Sequence, residues 1–161
     1  MRKYHIIIAG LVVLLDRMTK WAISHRISLD DSVEVIPGFR LTHVHNQGAA
    51  FGLFSDSPSE WKVTMLILFS IAALAVVSTL LWKNGNAMNA TAIALSLVFG
   101  GALGNLWDRV SNGRVIDFLD FYLGAHHWPA FNLADSAIVI GALLLLNEIF
   151  MAPQEEKVVS S

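Results

Sequence analysis

A stretch of uncharged residues long enough to cross a bilayer constrains this chain more than any other feature. Val63 to Trp82 contains no charged side chain and is bounded by Trp61-Lys62 on one side and Lys83 on the other. At about 1.5 Å of rise per residue such a helix reaches roughly 30 Å, the thickness of the hydrocarbon core. The tryptophans at its two ends suit the two membrane interfaces. Asn86 to Trp107 forms a second span, in which Ser96, Gly100 and Gly104 recur every four residues and permit close helix approach. Two less apolar stretches, at about 4–24 and 131–150, complete a set of four.

Composition agrees with an integral membrane protein. The 161 residues are 55% hydrophobic and 15% charged, with a mean hydropathy of +0.56. A net charge of -2 offers no basic field for nucleic acid. The absence of cysteine excludes disulfides, thiolate chemistry and a lipid-bearing cysteine in this chain. Arg2-Lys3 followed by the apolar run Ile6–Leu15 resembles a signal peptide, but the run leads into Asp16-Arg17 without a small-x-small site. It is therefore read as a retained first span. The reading is one membrane-embedded domain over 1–161, with a polar, flexible tail at 153–161.

Four spans place both termini on one side, and Arg2, Lys3 and Lys83 favour the cytoplasmic side for them. Arg26, Arg40, Arg109 and Arg114 then fall outside, in or beside extracytoplasmic segments at about 25–62 and 108–130. Within the first outer segment, Val33–Val44 is rich in β-branched and aromatic residues around Pro37-Gly38, which predicts short strands. The second contains Val115–Tyr122, too apolar to float free and expected to hug the interface or the span ends.

With this topology, polar groups gather at one leaflet. Asp16 and Lys20 lie in the outer half of the first span, Asn105 and Asp108 at the outer end of the third, Asn132 and Asp135 at the outer start of the fourth. An ionisable group at membrane depth is costly and survives beside a partner or a polar cavity. Asp117 and Asp135 are the leading candidates for chemistry. Two close carboxylates in a poorly solvated site share a proton, so one serves as base and the other as acid, as in aspartic proteases. Against this stand the plainer readings of Asp135 as a helix-start carboxylate and Asp117 as a surface loop residue.

Asp120 is an alternative partner, on the side of Asp117 if the segment is helical. His126 and His127, or His43 and His45 on one strand face, would suit a metal only weakly, since no H-E-x-x-H motif is present. No G-x-S-x-G elbow supports a serine hydrolase. Asp16 and Lys20, four apart, predict an internal ion pair. Arg109 is expected to pair with Asp108, Asp117 or a lipid phosphate, and Asn105 and Asn132 to position a carboxylate or a peptide group.

Taken in order, these residues resemble the lipoprotein signal peptidases (signal peptidase II) over nearly the whole chain. Asp16-Arg17-Met18-Thr19-Lys20 resembles the first motif of that family, with arginine where glutamine is common. Asn46–Gly52, Gly100–Arg109, Val115–Phe118 and Phe131–Asp135 resemble the remaining four. The resemblance implies an aspartic endopeptidase, without cofactor or metal, that cleaves bacterial prolipoproteins before the diacylglyceryl-modified cysteine. It implies four transmembrane helices with a small extracytoplasmic β-sheet cradle and a short amphipathic helix. The active site would lie near the outer leaflet of the bacterial cytoplasmic membrane.

It further implies Asp117 and Asp135 as catalytic. Asn46, Gly48, Asn105, Arg109 and Asn132 would be substrate-binding or supporting, and Asp16, Lys20 and Asp108 a structural polar network. Its implied partners are lipid-modified prolipoproteins, membrane phospholipid and globomycin-type peptide inhibitors. Two other classes fit the bare residues. A transporter or proton relay would run through Asp16 and Lys20, and a scaffold would use the aspartates only for helix packing.

Overall fold

Long apolar segments satisfy their backbone polar groups internally as helices, and the chain folds accordingly. The computed structural model describes residues 3–48, 59–84 and 89–151. Ala49–Gly52 of the small-residue box, the expected span start at Asn86 and the 153–161 tail lie outside the described residues.

Helix α1 (Lys3–Arg26) leads into a hairpin of β1 (Ser32–Ile36) and β2 (Phe39–Asn46). Its turn needs Gly38, at φ 89°, where a Cβ would also lie 3.3 Å from the Tyr122 carbonyl oxygen. Helices α2 (Ser59–Lys83) and α3 (Ala90–Asn112) follow, then β3 (Val115–Leu123), β4 (His126–His127) and α4 (Leu133–Met151). Asn89 caps α3 by accepting from the Ala92 amide at 2.8 Å. Gly113 ends it in the left-handed conformation and donates to the Arg109 carbonyl.

Trp61–Lys83, Ala90–Asn112 and Leu133–Met151 are each long and apolar enough to cross a membrane. The protein is thus a multi-pass helical membrane protein with one small antiparallel sheet. Helix α1 has the length but not the composition, because Asp16, Arg17 and Lys20 fall within little more than one turn. Three of the four expected spans therefore stand on length and apolarity alone.

Helix α3 is the hub, touching α1, α2 and α4. Of its most apolar stretch 44% is buried, against 6% for α2, whose Leu68, Phe69 and Val76 face outward. Small residues make that central position possible. A Cβ at Gly100 would meet the Ala9 carbonyl oxygen and Val12 Cβ of α1, each at 2.8 Å. One at Gly104 would lie 2.9 Å from Asp16 Oδ2. Val77, Leu81 and Leu95 fill the α2–α3 contact, and Ile23, Ile27 and Phe118 join α1 to the sheet.

The sheet runs β1-β2-β3-β4. A bulge on β2 between Leu41 and Val44 resets its register so that Val44 faces Asp117. On the other edge of β3, Phe131 exchanges backbone bonds with Leu119, at 2.8 and 3.1 Å. Two expectations change here. The outer segment expected over 108–130 begins as helix, so Asp108 and Arg109 belong to the end of α3. Val115–Tyr122 is an interior strand rather than a loop. Among the described residues, no separate short helix accompanies the four long ones.

Gly100→Ala is expected to destabilise the fold by about 1–3 kcal/mol, because neither a backbone carbonyl nor a β-branched neighbour yields easily. Gly10 is the control, since a Cβ there would meet nothing within 4 Å. Gly10→Ala should leave stability unchanged or slightly raised. Thermal unfolding in detergent measures both.

Candidate active site

Asp117 sits in β3, and its side chain is buried at the end of the helical bundle. Asp135 lies in the first turn of α4, half-buried. The start of that helix is built as a reciprocal cap. Asn132 Oδ1 accepts from the Asp135 amide at 2.9 Å, and Asp135 Oδ2 accepts from the Asn132 amide at 3.2 Å. The plainer reading of Asp135 as a helix-start carboxylate is therefore also geometrically true. The Phe131 bridge to β3 then holds this cap beside Asp117.

Asparagine amides serve both carboxylates. Asn46 Nδ2 reaches Asp117 Oδ2 at 2.9 Å, and Asn132 Nδ2 reaches Asp117 Oδ1 at 2.7 Å. Asn105 Nδ2 reaches Asp135 Oδ1 at 2.7 Å, and the Asn132 backbone takes the other oxygen. Asn132 is thus bonded to both aspartates. Among the described residues, every hydrogen bond to either carboxylate comes from a neutral amide. A lysine or arginine in direct contact would fix the ionised form far more firmly.

Burial pushes the Asp117 carboxyl up to about 6, and the charge of Asp135 adds to the rise. The Asn46 and Asn132 amides and the Lys20 charge oppose it. Asp117 thus holds its proton more tightly than an ordinary carboxyl does.

A cleft of about 370 Å³ opens onto Asp117, with Asn46, Gly48, Lys62, Pro129 and Ala130 in its walls. Asp135 is not among the residues that line this cleft, and it is linked to Asp117 through Asn132. Gly48 donates its backbone N–H to Asn46 Oδ1 at 2.8 Å, fixing the amide so that its nitrogen faces Asp117.

Behind the pair lies the ion cluster. Lys20 Nζ contacts Asp16 Oδ2 at 2.9 Å, Asp108 Oδ2 at 2.6 Å and Asn105 Oδ1 at 3.2 Å. The expected Asp16–Lys20 pair is present and extends to α3. Asp16 Oδ1 also accepts from the Ala134 amide, one residue before Asp135. Arg17 bridges Asp108 at 2.5 Å and Asp16 at 3.1 Å. Spacing along the chain gives Arg17 no partner, because its contacts depend on how α1 docks against α3.

Of the partners expected for Arg109, neither Asp108 nor Asp117 makes an ion pair with it among the described residues. Asp108 is occupied by Lys20 and Arg17, so Arg109 bonds the Asn105 carbonyl instead, at 3.4 Å. Among the described residues its buried Nε has no partner. Asp120 does not share a face with Asp117. Residues three apart on a strand face opposite ways, and Asp120 instead binds Arg40 Nε at 2.6 Å and His127 Nδ1 at 3.0 Å. Burial works to raise the Asp120 carboxyl, but His127 and Arg40 hold it below its ordinary value. His43 is buried, with Nδ1 on the Ile27 carbonyl at 2.9 Å.

Residues 8–151 match the family model described as signal peptidase (SPase) II. The chain belongs to the signal peptidase II family. It is 43% identical over 154 residues to the lipoprotein signal peptidase of Solibacter usitatus, covering 95% of this chain and 94% of that one. It is 44% identical to that of Burkholderia thailandensis, covering 86% and 82%. Among solved structures it is similar to a bacterial membrane enzyme determined by the in meso method, with a TM-score of 0.81 and 35% identity. That match covers 93% of this chain and 94% of the other.

The raised Asp117 carboxyl has a consequence for stability. A folded-state value above the unfolded 3.8 means that the fold binds the proton more tightly. This contribution is fully present below pH 3.8 and is lost as pH rises through about 6. The melting temperature of the detergent-solubilised protein should carry a component that falls across that window. Asp117→Asn should abolish that component.

Proposed function

We propose that Asp117 and Asp135 are the catalytic pair of this peptidase. The observation that carries the assignment is two carboxylates from separate elements, joined through Asn132 and bonded only by neutral amides among the described residues. The family supplies the reaction: the chain is an aspartic endopeptidase that removes the signal peptide from prolipoproteins. Cleavage falls immediately before the lipidated cysteine. The pair holds one proton between two carboxyl groups. The ionised member draws a proton from water, whose oxygen attacks the scissile carbonyl carbon, while the protonated member donates to the carbonyl oxygen. The tetrahedral intermediate then collapses. A proton passes to the amide nitrogen, the C–N bond breaks, and the cysteine amine and the signal-peptide carboxylate separate.

Asn46, Gly48, Asn105 and Asn132 hold the carboxylates and the cleft wall, and Arg109, whose buried Nε–H has no partner among the described residues, serves the peptide or lipid head-group region. Asp16, Lys20 and Asp108 hold the helices together. A transport role through Asp16 and Lys20 has less support, because both are locked in the ion cluster.

The chain acts as one membrane domain in which α1 is the fourth span. Its three charges are tolerable at membrane depth because they are neutralised against one another and against α3. Both termini face the cytoplasm and the sheet faces outward. In support, the sheet attaches where α1 and α3 end and α4 begins, while Lys3 and Lys83 lie at the other ends of their helices. Exposed Val33, Val35, Ile36 and Trp128 on the sheet side suit the outer interface. A substrate anchored by diacylglycerol presents its scissile bond at that depth without drawing its lipid into water.

The test uses the full chain in detergent with a lipidated prolipoprotein, following signal-peptide release. Asp117→Asn and Asp135→Asn should each lower kcat by roughly 10³-fold or more while remaining folded. Wild-type rates in both folded variants would defeat the assignment. Arg109→Ala should act differently, raising KM with a smaller loss in kcat.

A further inference from the structure

Arg17 is the one charged residue of the ion cluster to which neither the first motif nor the reaction assigns a task. Its environment defines one. The carboxylates of Asp16 and Asp108 have 0% and 3% exposure, and both are shared by Lys20 and Arg17. Two anions and two cations make a group with no net charge, buried except for the Arg17 side chain, which is 28% exposed. Lys20 has three N–H donors, and all three are used: on Asp16, on Asp108 and on Asn105 Oδ1. The bond to Asn105 is the longest of them, at 3.2 Å. That bond and a second one, from Asn132 Nδ2 at 3.3 Å, together set which way the Asn105 amide faces. With Oδ1 held by Lys20, Nδ2 is left to bond Asp135 Oδ1 at 2.7 Å.

From this arrangement we infer that Arg17 is a positioning residue for Asp135, acting through Lys20 and the Asn105 amide. The inference rests on the reading of Asp135 as catalytic. Without the guanidinium, one ammonium faces two buried carboxylates, and an uncompensated buried anion is strongly unfavourable. The nearest relief is for Lys20 to move fully onto the carboxylates and give up its longest bond. Asn105 then keeps only the 3.3 Å bond from Asn132 on its oxygen and is held less firmly. Its Nδ2 places the Asp135 carboxyl less sharply as a result. A second path reinforces the first: Asp16 Oδ1 holds the Ala134 amide at 3.2 Å, tying the start of α4 to the same charges. Arg17 touches neither substrate nor the reacting atoms. Its effect is carried by three successive side-chain contacts, at 2.5, 2.6 and 3.2 Å, before the amide bond to Asp135.

Steady-state kinetics of the full-length chain on lipidated prolipoprotein test this. Arg17→Ala should lower kcat roughly tenfold with KM within about twofold of wild type. Arg17→Lys, which restores the charge, should recover most of the loss. Arg17→Gln supplies a donor to Asp108 without the charge and should fall between the two. In an Asn105→Ala background, Arg17→Ala should cost no more than about twofold further, since only the path through Asp16 and the Ala134 amide remains. An equal loss in that background, or wild-type kcat in Arg17→Ala, overturns the inference. If Arg17→Ala does not give a cooperative melt, Arg17→Gln replaces it in the cycle, and wild-type kcat there has the same force. Asp135→Asn is run in parallel. If it stays active, the catalytic reading itself has failed. If it is dead while Arg17→Ala is unimpaired, only the role of Arg17 has failed.

Discussion

Lys20 lies between Asp16 of its own helix and Asp108 of α3, with all three groups almost fully buried. Helices α1, α3 and α4 meet at this point, because Asp16 also holds the Ala134 amide and Gly104 leaves room for its carboxylate. Charges at such depth are stable only when paired and hydrogen-bonded. Any movement of one helix against another would expose an unpaired ion to an apolar surrounding. The cluster therefore fixes the relative positions of the three helices more sharply than apolar contact does, since slippage between small residues and lipid-like side chains costs little.

What the cluster fixes is useful because the site in front of it is bonded by neutral groups. The cations contact Asp16 and Asp108, while asparagines contact Asp117 and Asp135. Lys20 Nζ and Asn105 Oδ1 form the join between the two layers. Segregation of this kind keeps charged donors on one pair of carboxylates and neutral amides on the other within the same protein. Asp120, only three residues from Asp117, belongs to neither layer. Strand alternation turns it toward Arg40 and His127.

Much of this is legible in the residues, for reasons that differ by element. Val63–Trp82 is apolar throughout, so α2 follows from length alone, and Pro37-Gly38 marks the hairpin. Asp16 and Lys20 lie on one helix face by spacing, whatever the tertiary fold. Val115–Tyr122 is not legible as an interior strand, because a run apolar on both faces has no helix or strand period. The end of α3 is hidden for a related reason: Asp108 and Arg109 look like a membrane boundary but continue the helix as far as Asn112, before Gly113. Contacts of Arg17 and Arg109 are beyond the reach of spacing, since docking decides which carboxylates are already occupied.

The order of the elements along the chain has a consequence for biogenesis. Asp117 lies on β3 and Asp135 on α4, the last element of the described chain, and their common ligand Asn132 immediately precedes that helix. During synthesis, α1 to α3 can associate around Gly100 and the Lys20 cluster while the second carboxylate has yet to emerge. The Phe131 ladder and the Asn132 cap form only when the final helix is threaded into place. On the proposed assignment of Asp117 and Asp135, a nascent chain is inert as a protease until its insertion is complete, and a truncated one never acquires the pair.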